Sequence, residues 1–143
     1  MVLSAKDIVE KDFLSLPRGT NALDAAKQMK STQRGFVIIV AADGRPEGIV
    51  TEWDYLSKLV ADGKDPSKTR LEEIMSTGLV TVKANDGIDF VSQMMSERGI
   101  RRVLVIQEGK VLGVITAKTV LSRLKEYIDR VSSQIARLQT PRY

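Results

Sequence analysis

Gly48-Ile49-Val50-Thr51-Glu52-Trp53-Asp54 comes back in the second half of the chain as Gly113-Val114-Ile115-Thr116-Ala117-Lys118-Thr119. Reading outward, each copy follows an apolar run, Val37-Ile38-Ile39-Val40 in one and Val103-Leu104-Val105-Ile106 in the other. Further upstream each has a helix-like stretch, ending at Met29 or Met95, and a short apolar lead-in at 13–16 or 79–82. Short apolar runs bounded by Gly, Pro or Asp read as strands, here at about 13–16, 36–41, 47–51, 79–82, 102–107 and 111–116. Asp43-Gly44 and Gly109-Lys110 stand where hairpin turns belong. Helices are expected at about 21–32, 52–61 and 87–98, with Thr20 and Asp86 as caps.

Because only two copies exist, the pattern describes a paired unit that closes on itself and not an open solenoid. Each half reads strand, helix, strand, strand, helix, which predicts an α/β fold of two repeats, 1–62 and 74–127, joined by a polar linker at 63–73. A short helix near 72–75 mirrors one at 4–9. The last helix departs from the repeat and runs on to about Gln139, so that 128–143 forms a helical extension and tail. Leu121, Leu124, Ile128, Val131, Ile135 and Leu138 recur along it at heptad spacing, with charged residues off that seam. Its first half is expected to join the core, and the remainder either pairs with a second copy or a partner or folds back on its own domain.

Composition removes several chemistries. The 143 residues include no cysteine and no histidine, which takes away disulfides, thiolate nucleophiles, the commonest metal ligand and the usual general base. No metal site and no catalytic centre are expected. The net charge of +4 comes from 22 Lys and Arg interleaved with 18 Asp and Glu, a balance that allows an anionic ligand without demanding nucleic acid. With no long apolar run and no signal-peptide pattern, a cytoplasmic protein without membrane contact is expected.

The duplicated unit, with Gly-apolar-apolar-Thr-x-x-Asp closing its third strand at 48–54, resembles the CBS domain family, named after cystathionine β-synthase. The resemblance covers about 8–127. It implies two repeats packed through their sheets into one pseudo-two-fold module, modules that join as homodimers, and clefts that take adenine-containing ligands. It also implies that each cleft combines the motif of one copy with the first strand and the helix-to-strand junction of the other. The first cleft then holds Ile49, Thr51 and Asp54 opposite Val80, Ile100, Arg101 and Arg102. The second holds Thr20, Ala25, Arg34 and Gly35 opposite Val114, Thr116, Lys118 and Thr119.

A nucleotide needs an acceptor for its ribose hydroxyls, donors for its phosphate and an apolar slot for its base. In the first cleft Asp54 is expected to accept from the ribose, the two arginines to anchor phosphate, and Val80 with Ile49 to sandwich the base. Thr119 stands where Asp54 stands in the other copy, so the second cleft is expected to be weak or empty, with Lys118 offsetting part of the loss. Residue grounds alone leave other roles open: Asp54 as a helix-start acid, at least one of the arginines as a surface cation, and Thr51 and Thr116 as caps. Trp53 is expected at a module interface, and Met29, Met94 and Met95 as core filler.

The resemblance implies a non-catalytic sensor that binds AMP, ADP or ATP as a regulatory ligand, has no catalytic cofactor, and transmits occupancy to a partner protein. The alternative is an assembly module with a vacant cleft that acts through its last helix. Nucleic-acid binding is a third reading, resting on the pI of about 9.4 and the basic end at 137–142.

Overall fold

The computed structural model describes residues 3–139; Met1, Val2 and 140–143, including Arg142 of the basic end, lie outside the described residues. Two three-stranded sheets repeat one topology. β1 (Ser15–Pro17) runs parallel to β2 (Phe36–Val40), which pairs antiparallel with β3 (Pro46–Thr51). β4 (Thr81–Lys83), β5 (Arg102–Gln107) and β6 (Lys110–Thr116) do the same in the second copy. Even the irregularity is copied: the register slips between Ile39 and Val40 in one hairpin and between Val105 and Ile106 in the other.

Crossover helices α2 (Ala22–Thr32) and α4 (Ile88–Arg98) join the first two strands of each sheet. Their apolar residues recur at helical spacing, so Ala22, Ala25 and Met29 of α2 and Val91 and Met95 of α4 face their sheets. The methionines act as core filler, Met94 packing from the edge. Alternation along the strands supplies a second apolar face, and there the two sheets meet. Ile38 of β2 packs on Leu104 of β5 and Val114 of β6, flanked by Phe13, Ile49 and Leu79.

The short helix α1 (Ala5–Ile8) belongs to the core of the other copy. Ala5 and Ile8 pack with Val82, Val91 and Ile115, and the backbone N–H groups of Ala5 and Lys6 donate to the carbonyls of Asp86 and Ala84. In return Leu71, from the 3-10 turn Leu71–Glu73, and Ile74 complete the first core with Val37, Ile39 and Val50. The N-terminal lead-in of each copy, 3–10 or 71–76, therefore closes the sheet of the other copy.

Three local expectations are corrected. The lead-in strands start two residues later than their apolar runs, because Phe13 and Leu79 bury their side chains between the sheets while the ladders begin at Ser15 and Thr81. Asn21, not Thr20, caps α2, its Oδ1 accepting from the Asp24 N–H, while Thr20 turns its hydroxyl to the Pro17 carbonyl. Gly87, not Asp86, stands at the cap of α4, because the Asp86 carboxylate accepts from the Lys83 N–H inside the preceding turn.

After β3 the chain enters α3 (Glu52–Tyr55) and loosens into a π turn at Leu56–Val60. The Tyr55 hydroxyl donates to the Ala22 carbonyl and ties this segment to α2. After β6, α5 (Ala117–Gln139) runs for 23 residues. Its first half does not join the core as expected: Thr119 is buried and Val120 packs on the second cluster, but Leu121 and Leu124 stay exposed. No helix among the described residues is long and apolar enough to cross a membrane.

Candidate functional site

A strand that ends at a threonine and turns at once into a helix leaves the first helical N–H groups unpaired. Both copies solve this locally. In the first, Thr51 caps α3 and Asp54 reaches back as its partner, Oδ2 accepting from the Thr51 N–H at 2.8 Å and hydroxyl at 3.3 Å. Lys58, one turn on, places Nζ 2.9 Å from Oδ1 of Asp54 and also donates to the Ile74 carbonyl. The carboxylate is 5% exposed, and both of its oxygens are already engaged within the protein. In the second copy Thr116 accepts from the Thr119 N–H, and Thr119, 8% exposed, donates its hydroxyl to Oε1 of Glu10 at 2.9 Å.

Between the two copies opens a cavity of about 400 Å³. Arg34, Gly35 and Phe36 line it from the helix-to-strand junction of the first copy, and Arg101 and Arg102 from the matching junction of the second. Thr116, Ala117 and Lys118 line it from the start of α5, with Glu10 beside them. Four cationic side chains thus share the walls with one carboxylate, and such a concave cationic site concentrates anions. The guanidinium of Arg102 lies 4.8 Å over the Phe36 ring, a cation–π contact from one copy to the other. Burial pushes this guanidinium down from its ordinary value and Arg101 beside it adds to the push, while Glu52 opposes it. A site already crowded with positive charge gains most from a ligand that brings negative charge.

The two expected residue sets are redistributed. The cavity brings Arg101 and Arg102 of the first set together with Arg34, Gly35, Thr116 and Lys118 of the second. Asp54, Thr51 and Ile49 are not among its lining; Ile49 instead pairs its backbone with Ser76. Val80 and Ile100 pack on the second core, Ile100 lining a separate groove with Met95 and Leu121. Thr20 holds the turn before α2, Ala25 is fully buried in the first core, and Val114 is buried between the sheets. Thr119 touches the site through Glu10. Sequence reasoning missed Glu10, Gln33, Phe36 and Ala117. The two helix-to-strand junctions were readable from the repeat, so Phe36, which matches Arg102, had a signal. Glu10 had none, because its place depends on a pairing between distant segments.

The family model for the CBS domain matches residues 5–61 and 71–126. Hypoxic response protein 1 of Mycobacterium tuberculosis is 28% identical over 124 residues, 87% of each chain. The hexameric CBS-CP12 protein from bloom-forming cyanobacteria superposes with a TM-score of 0.75 at 32% identity, over 85% of this chain and 67% of that one. The CBS domain pair of protein MJ0100, solved in complex with 5′-methylthioadenosine and S-adenosyl-L-methionine, superposes with a TM-score of 0.73 at 28% identity, over 88% and 98% of the two chains.

Proposed function

This chain belongs to the CBS domain family, and on that premise we propose that it is a non-catalytic regulatory module whose cationic cleft takes an adenine nucleotide such as AMP, ADP or ATP. The observation that carries the reading is the convergence of Arg34, Arg101, Arg102 and Lys118, from both copies, on one cavity. Guanidinium groups match phosphate oxygens in geometry as well as charge. The bound adenosine compounds of the MJ0100 domain pair supply the rest of the ligand class.

Occupancy has a route to the rest of the molecule. Arg102 belongs to the second copy and Phe36 to the first, so a phosphate that draws the guanidinium off the ring loosens one contact between copies. A ligand can shift that arrangement only by its difference in affinity for the two states. A partner protein would read the shift.

The test is a thermal-shift panel of AMP, ADP, ATP, S-adenosylmethionine and NAD. A ligand at 100 times its Kd stabilises by about 2.7 kcal/mol, so one or more adenylates should raise the Tm clearly. Arg102→Ala should abolish most of that rise, since each charge-assisted bond contributes about 1.5–3 kcal/mol. No response to any of the five in the wild type would overturn the reading.

A second reading, assembly through α5, is favoured by one observation. Leu121, Leu124, Ile128, Ile135 and Leu138 lie at least half exposed along that helix.

A further inference from the structure

The two closing motifs differ at one acid, Asp54 against Thr119, and the residues whose backbones bridge to their strands differ as well. Each lead-in pairs with the last strand of the other copy, Glu10 bridging Val114 and Ser76 bridging Ile49. Glu10 and Ser76 are therefore equivalent positions. By position, one copy has its acid on the helix, Asp54, and a serine on the lead-in, Ser76; the other has its hydroxyl on the helix, Thr119, and its acid on the lead-in, Glu10, and there the two side chains bond. The carboxylate has changed sides.

The exchange changes what the carboxylate can do. Asp54 has both oxygens engaged by Thr51 and Lys58. Glu10 accepts one bond, from Thr119 to Oε1, and among the described residues its Oε2 accepts no hydrogen bond and forms no ion pair, although four cations line the same cavity. Its backbone is fixed by reciprocal bonds with Val114, both 3.0 Å. Gly113 permits that approach, since a Cβ there would fall 2.2 Å from the Glu10 carbonyl oxygen. An exposed carboxylate on a fixed backbone, held at one oxygen by Thr119 and open at the other, suits a ligand that carries hydroxyl donors beside its phosphate.

We infer that Glu10, which lines the cationic cavity with one oxygen open, recognises the ribose hydroxyls of the ligand; the inference rests on the proposed nucleotide site. Glu10 then sets a preference for ribonucleotides, while the arginines hold the phosphate.

Calorimetry on the whole protein tests this with AMP, ATP, their 2′-deoxy forms and tripolyphosphate, against wild type, Glu10→Gln and Glu10→Ala. The wild type should bind a ribonucleotide about tenfold or more tighter than its deoxy form, the worth of one bond to a charged acceptor. In Glu10→Ala that discrimination should collapse, while tripolyphosphate binds as well or more tightly because a negative charge has left a cationic cavity. Glu10→Gln, which keeps the size of the side chain, should lose most of the discrimination with an unchanged Tm. Equal discrimination in wild type and Glu10→Ala overturns the role of Glu10 and leaves the nucleotide site standing. Parallel weakening of all ligands in both variants also overturns it, as the mark of a structural role. If neither ribonucleotide binds the wild type, the site itself is wrong and the inference falls with it.

Discussion

Asp54 accepts from the Thr51 N–H and hydroxyl and pairs with Lys58, so its chemistry is directed inward. Replacing it by Ala leaves the Thr51 N–H and the Lys58 ammonium without their acceptor at a nearly buried position. We expect Asp54→Ala to lose about 1–3 kcal/mol, read as a lower urea midpoint at an unchanged slope, with nucleotide affinity held. Lost binding at unchanged stability would instead return Asp54 to the ligand. The acid and the threonine were legible in the sequence as a pair at the right spacing. What the sequence did not show was Lys58 closing the other side, because an acid at a helix start serves a cap or a ligand with the same letters. Arg101 and Arg102 were legible as adjacent cations at the helix-to-strand junction, and the structure sets both against the cavity.

At the scale of the element, α5 carries the least explained surface. Its heptad seam was readable from spacing alone, yet spacing does not say what covers it, and Leu138 is 78% exposed. Its far part, 128–139, is short enough that an isolated helix of that length is marginal in water without packing. If the seam pairs with a second copy, Ile135→Glu together with Leu138→Glu should lower the mass seen by light scattering, the fold remaining intact by circular dichroism. Equal masses for wild type and variant would remove the pairing role. Trp53, Leu56 and Val60 form another exposed apolar set, on the segment of the first copy that corresponds to the start of α5. Helix and strand order were fully legible because the apolar periods change cleanly between elements. Caps were not, since Thr20 and Asn21 are both good cap residues and only the side-chain bond to Asp24 separates them.

For the whole molecule the exchange of lead-ins decides how stability is shared. Leu71 opens the second matched repeat, 71–126, but fills the first core, fully buried beside Val37 and Ile39. Leu71→Ala should therefore cost about 2–5 kcal/mol and shift one cooperative transition, seen as coincident loss of the Trp53 fluorescence and of the far-ultraviolet signal. Two separable transitions would contradict the interlocking. The duplication made the paired sheets legible, whereas the exchange was hidden, because 4–9 and 71–75 are short apolar patches that read alike whichever sheet they close. One further consequence belongs to α5, which grows directly out of β6. At 1.5 Å per residue its 23 residues make a rod of about 35 Å, held to the rest of the molecule through its first half by Val120, Arg123 and Tyr127. If the module regulates as proposed, this length makes a lever of the helix: a small tilt of the second sheet would become a stroke of several ångströms at the tip.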